Sequence, residues 1–132
     1  MKLWVIDTNV VVSSMRVPTS PPALLLDAVA NRRVRMAYDD RILSEYREVL
    51  NRQRLQISPR IIANFLAHMR HQQRIYPTYR LRSGPDPDDL MFIEVALATP
   101  QKTIVTGNVR DFPRATRNGV RILTPAQALS EI

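Results

Sequence analysis

The sequence predicts an α/β sandwich on a small, mostly parallel sheet, and two observations carry the prediction. Short apolar runs alternate with longer stretches of helical periodicity along the whole chain. Strands separated by helices pair in parallel, because the helix returns the chain to the starting end of the sheet. The run Leu3-Trp4-Val5-Ile6 reads as a buried first strand, ended by Asp7-Thr8-Asn9.

The remaining elements follow in order. Pro21 to Arg33 reads as a helix, with prolines where a first turn tolerates them. Val34 to Tyr38 is a second strand, and Asp39 or Asp40 offers an N-cap for a helix reaching about Arg52. Ser58-Pro59 opens a helix that carries Ile61, Ile62, Phe65, Leu66 and Met69 on one side. Ser83-Gly84-Pro85-Asp86-Pro87 is a loop. Leu90 to Ala98 is apolar except for Glu94, which predicts a helix buried on most sides. Glu94 is expected to pair with an arginine or to sit at a rim. Thr103 to Thr106 is a strand broken by Gly107-Asn108, Val120 to Leu123 a last short strand, and Thr124-Pro125 the start of a terminal helical turn. Trp4, Tyr46 and Phe92 are expected in the core, and His68 and His71 on a polar helix face. No repeat, linker or low-complexity tract interrupts the pattern, so residues 1–132 are expected to form one domain.

Composition narrows the function. At 45% hydrophobic residues the chain can bury a core. No segment approaches the roughly 20 apolar residues of a membrane span, and Asp7 and Asn9 interrupt the first apolar run too early for a signal peptide. The absence of cysteine excludes disulfides and thiolate metal sites, so a cytoplasmic protein is expected. Nineteen basic residues face twelve acidic ones, for a net charge of +7. Only Lys2 and Lys102 are lysines; the other 17 are arginines, whose planar fork suits phosphate and stacks on bases. A polyanionic partner is therefore expected, against the plainer reading of a merely solvated basic surface.

In so basic a chain the acids are the unusual resource. Open parallel sheets bind ligands beyond the carboxyl ends of their strands, and Asp7 and Asn108 each follow such an end. Asp7 could alternatively cap or close a turn. Glu45 falls at the edge of the stripe formed by Ile42, Leu43, Tyr46, Val49 and Leu50, where it can reach a cleft or pair with Arg41; Glu48 points away. Asp86-Pro87-Asp88-Asp89 precedes a helix, and Asp88 or Asp89 as N-cap accounts for one of its three carboxylates. Asp111 follows Asn108 by three residues and could instead be a turn residue paired with Arg110 or Arg114. Acids from four separated segments could converge on one sheet edge. Oxygen-only ligands favour Mg²⁺ or Mn²⁺, ions that activate water and stabilise in-line attack on phosphate.

Taken jointly, VIDTNVVVSSM, SEYREVL, DPDDLMFIEVALA and IVTGNVRDFP…GVRILTP make the chain similar to the PIN-domain family over essentially its whole length. Within that family it most resembles the VapC-like toxins of toxin–antitoxin pairs. The resemblance implies a three-layer sandwich with a small, mostly parallel sheet of four or five strands flanked by helices. It also implies Mg²⁺- or Mn²⁺-dependent cleavage of RNA. Asp7, Glu45 and Asp89 match the family's first three acids and would hold the metal. Thr8, Asn9, Asp86, Asp88, Thr106 and Asn108 would support them. Asn108 stands where many members carry aspartate; Asp111 could supply the missing charge as a fourth catalytic residue. Arg80, Arg82, Arg110 and Arg114 would grip RNA. The implied partners are an antitoxin entering the same cleft and a second copy of the chain.

Three other classes compete. A phosphotransferase with an aspartyl nucleophile needs a second acid two residues on, where Asn9 stands. A phospho-accepting domain needs paired acids and a late lysine, and Lys102 precedes its strand. A non-catalytic module binding RNA or an antitoxin through a degenerate site is the serious rival, because of Asn108.

Overall fold

The computed structural model describes residues 1–77, 80–81, 87–114 and 117–132. Its sheet has five strands, all parallel: β1 (Lys2–Ile6), β2 (Val34–Tyr38), β3 (Gln73–Arg74), β4 (Thr103–Val105) and β5 (Arg121–Leu123), in the order β3-β2-β1-β4-β5. The helices are α1 (Thr8–Arg16), α2 (Pro21–Ala30), α3 (Asp40–Leu50), α4 (Pro59–His68), α5 (Pro87–Leu97) and α6 (Pro125–Leu129). Each strand meets the next only after a crossover, as the alternation of patterns requires.

β1 lies at the centre, and Trp4, Val5 and Ile6 are completely buried. A strand covered on both faces loses the polar alternation of a half-exposed one, and Leu3 to Ile6 is apolar for that reason. β1 to β3 proceed to one side; β4 and β5 fall on the other. The crossover from β3 to β4 therefore runs back past β2 and β1, and α5 is the helix that enters β4. α5 packs across β1, β2 and β4, while α2 packs on β2 and against α1 and α6. The expected flanked parallel sheet is the fold observed.

Local chemistry sets the boundaries. Ser20 caps α2 through the Ala23 amide, ahead of Pro21, and Asp39 caps α3 through the Ile42 amide at 3.1 Å. Thr124 and Gln127 form a reciprocal capping box on α6. Two helices stop earlier than the sequence suggests: α2 at Ala30 rather than Arg33, and α3 at Leu50 rather than Arg52. The stripe on α4 is also narrower than expected, since Ile62 is buried but Ile61 is 46% exposed. α5 begins at Pro87, so Asp88 and Asp89 lie in its first turn and neither is the N-cap. Residue 86 lies outside the described residues, as do Arg82 and most of the preceding loop. α1 directly follows Asp7, and the short β3 extends the sheet; neither stood out in the sequence. Among the described residues no helix is long and apolar enough to cross a membrane.

Candidate active site

β1 and β4 adjoin at the point where the strand order reverses, and Asp7 and Thr106 are the residues immediately beyond their carboxyl ends. Open α/β sheets bind ligands at this switch point, because the loops there diverge to opposite faces and leave a crevice. The Asp7 amide donates to the Val105 carbonyl at 2.9 Å, continuing the ladder one residue past the strand. Asp7 is thus held by the sheet and not by a mobile loop.

Its side chain is 6% exposed. Asp7 occupies the N-cap position of α1 without a side-chain capping bond, which removes capping as its role. Its Oδ2 instead accepts from the Thr106 hydroxyl at 2.8 Å and the Asn9 amide at 3.1 Å. Burial raises its pKa from 3.8 to about 6; the charges of Glu45 and Asp111 push the same way, while hydrogen bonds from Thr106 and the Thr8 amide oppose them. Asn9 also braces β4, since its Oδ1 accepts from the Gly107 amide at 3.0 Å. A Cβ on Gly107 would lie 3.3 Å from that oxygen, so the residue must be small for the loops to approach this closely.

Glu45 projects from α3 as an edge position allows, and it accepts a short hydrogen bond from the Thr8 hydroxyl. Its pKa is raised, first by burial and then by the charges of Asp88 and Glu48, against the Thr8 bond and Arg52. The neighbouring Tyr46 hydroxyl donates to the Ile6 carbonyl, anchoring α3 to the strand end that presents Asp7. Arg41 is not the partner of Glu45. It bridges Asp39 at 2.7 Å and Glu94 at 2.6 Å, and Glu94 also accepts from the Leu81 amide at 2.8 Å. Glu94 is therefore the arginine-paired residue expected, and Glu45 stays directed at the cleft.

On the β4 side, Thr106 Oγ1 accepts from the Asn108 amide at 3.0 Å while donating to Asp7. The Asn108 side-chain amide donates to Asp111 Oδ1 at 3.0 Å. Among the described residues Asp111 pairs with neither Arg110 nor Arg114, and its charge acts on Asp7 instead. Asp88 is exposed and Asp89 half-buried on the first turn of α5, where the positive end of the helix favours them. Arg110 and Arg114 are exposed beside Asp111. Arg80 is exposed beyond the ends of β2 and β3, with a guanidinium hydrogen bond to the Pro77 carbonyl at 3.0 Å. Arg82 and Asp86 lie outside the described residues.

Asp7, Glu45, Asp88 and Asp111 are thus coupled through their charges. Among the described residues, however, no three acidic or histidine side chains stand close enough to grasp one ion together. The donor set still fits a hard divalent cation. Mg²⁺ commonly takes one or two carboxylates and keeps several waters, and Asp7 with Glu45 meets that need. The sequence reading placed Arg41 against the wrong acid and passed over Tyr76. Arg41 was expected beside Glu45, and only the fold brings it to Asp39 and Glu94; Tyr76, 77% exposed on the same sheet edge, gave no signal in the pattern.

The profile of the family described as PIN domain matches residues 4–110. No curated protein and no solved structure gives a significant match to the chain.

Proposed function

We propose, from the premise that this chain belongs to the PIN-domain family, a family of nucleases generally, that it is a metal-dependent endoribonuclease and the toxin of a toxin–antitoxin pair. One observation carries the reading: Asp7 is buried at the topological switch point among neutral donors and like charges, and among the described residues no cationic side chain pairs with it. A carboxylate so placed is stabilised by a cation supplied from outside.

Asp7 and Glu45 would hold Mg²⁺ or Mn²⁺, with Asp89 and Asp88 from α5 and Asp111 completing the negative field. The ion supplies activation of water and neutralisation of the phosphate oxyanions. The chain's own residues orient and select. Thr106 and Asn9 fix the Asp7 carboxylate, Thr8 fixes Glu45, and Asn108 holds Asp111 toward Asp7. Arg110 and Arg114 on one flank and Arg80 on the other would grip the backbone of the RNA. Exposed Tyr76 offers a base a stacking surface on the same edge. An antitoxin would silence the site by entering the cleft with a cationic side chain, and a homodimer is the expected assembly.

The neutral Asn108 favours a second reading, an RNA- or antitoxin-binding module that has lost cleavage. A labelled single-stranded RNA incubated with wild type and Asp7→Asn, in Mn²⁺, in Mg²⁺ and in chelator, separates the two. Cleavage by wild type only with metal, lost in the variant, supports the nuclease. Salt-sensitive binding without cleavage in either metal supports the module, and neither cleavage nor binding removes RNA as the partner.

A further inference from the structure

The opposite edge of the sheet carries a different chemistry. Where α2 turns into β2, a hollow of about 460 Å³ opens between that turn and the end of α4. Its charged or chargeable lining is wholly basic: Arg32 and Arg35 from the turn and strand, His68 and His71 from the helix end. Among the described residues none of the four forms an ion pair, whereas Arg41, Arg52, Arg74 and Arg121 each pair with an acid. The volume lies within the range of small-molecule sites, about 300–1,000 Å³.

The backbone sets where one of these arginines stands. α2 ends in a paired-bond motif: the Arg33 amide donates to the Ala28 carbonyl at 2.9 Å and the Arg32 amide to the Val29 carbonyl at 3.1 Å. That geometry forces Arg32 into the left-handed region, with φ 61°. Glycine is the usual residue there because a Cβ is penalised. An arginine at this position presents a guanidinium to the hollow at a conformational cost that glycine would avoid. Gln56, Lys102 and Asn118 adopt the same conformation elsewhere; at Arg32 it fixes the backbone from which the side chain lines the hollow.

We infer that this hollow binds a phosphomonoester of nucleotide size, at a site separate from the acidic cleft. The two arginines supply forked, charged donors, and each imidazole offers an N–H even when neutral. Exposed Met1 and Ala30 supply an apolar wall on which the organic part of the ligand can rest. The site begins at the amino end of β2, so the strand's five residues separate it from the catalytic edge by about 16 Å.

Calorimetric titration in chelator tests the inference without involving metal at the acidic edge. The probes are inorganic phosphate, adenosine 5′-monophosphate and adenosine, applied to wild type, Arg32→Gly and Arg35→Gln. Arg32→Gly relieves the backbone strain, so its melting temperature should match or exceed that of wild type, and lost binding cannot then be ascribed to lost fold. Phosphate and the nucleotide should bind wild type, both at least tenfold more weakly in each variant, with adenosine silent. A nucleotide tighter than phosphate would show the apolar wall in use; equal affinities would assign recognition to the phosphate alone, and both support the site. Absence of phosphate and nucleotide binding, or equal binding by all three proteins, overturns it.

Discussion

Replacing Asp7 by asparagine should make the metal-free protein more stable, in a manner that depends on pH. In the folded chain the Asp7 pKa stands at about 6, against 3.8 for an unhindered aspartate. At about 1.4 kcal/mol per pH unit, holding the charged form in place costs about 3 kcal/mol at neutral pH. The sign follows from proton counts. Between these two values the folded state binds more protons than the unfolded one, so the contribution of Asp7 to stability falls as pH rises. Below pH 3.8 the group is protonated in both states and the cost vanishes. An asparagine avoids the charge but must find an acceptor for its new N–H groups, which reduces the gain to about 1–2 kcal/mol. For a domain of this size that corresponds to a rise of about 3–8 °C in melting temperature. Thermal melts in chelator, at half-unit steps from pH 3.5 to pH 8, provide the measurement. The difference between variant and wild type should be near zero at the acid end, grow between pH 4 and 6, and then level off. Mn²⁺ should stabilise only wild type and so narrow or reverse the difference above pH 6. A variant less stable than wild type at pH 8 in chelator would refute the reasoning, as would a gain independent of pH.

Three further outcomes follow from the same contacts. Thr106→Val removes the donor to Asp7 and the acceptor of the Asn108 amide at a fully buried position, and should cost about 1–3 kcal/mol in urea titrations. Arg41→Ala leaves Glu94 charged and 3% exposed; because the guanidinium itself is partly solvated the loss should be about 2 kcal/mol, and Arg41→Ala combined with Glu94→Gln should recover part of it. In Mn²⁺ titrations, Asn108→Asp should tighten binding by about tenfold and Asp111→Ala should weaken it, since the negative charge around an oxygen site sets its affinity; unchanged affinity in both would remove the Asn108–Asp111 pair from the site.

The fold was legible because the central strands of a parallel sheet are written in uninterrupted apolar runs. Leu3 to Ile6 and Val34 to Tyr38 could be read directly, and caps such as Asp39 and Thr124 announced their helices. β3 could not be read: two residues, Gln73 and Arg74, carry no periodicity, and their pairing with Ala37 and Tyr38 is decided by distant neighbours. α1 was obscured because Thr8, Asn9 and three valines are weak helix formers, and tertiary packing overrides that preference. In the cleft, the strand-end position marked Asp7 and the helix edge marked Glu45. The partners of Arg41 lay beyond reach, since Asp39 and Glu94 are far apart in sequence and only the fold chooses them over Glu45.

Among the described residues three carboxylates are buried, Asp7, Asp39 and Glu94, and the contrast between Asp7 and Glu94 separates structure from function. Glu94 is neutralised: one guanidinium lies 2.6 Å away, and a backbone amide takes its second oxygen. Its charge is satisfied from within, and it ties α5 to α3 and to Leu81. Asp7 is buried as well but differently treated. Among the described residues its donors are a hydroxyl, a side-chain amide and a backbone amide, all neutral, and the charges acting on it are negative. Neutral donors orient a carboxylate without cancelling its charge, and like charges raise its energy until a cation arrives. Were Asp7 a structural group, the stabilising solution would be the one the same fold applies to Glu94, in a chain with 17 arginines available. Among the described residues no arginine is directed at Asp7, and under the proposed function a metal ion or a partner's cationic side chain would supply that charge.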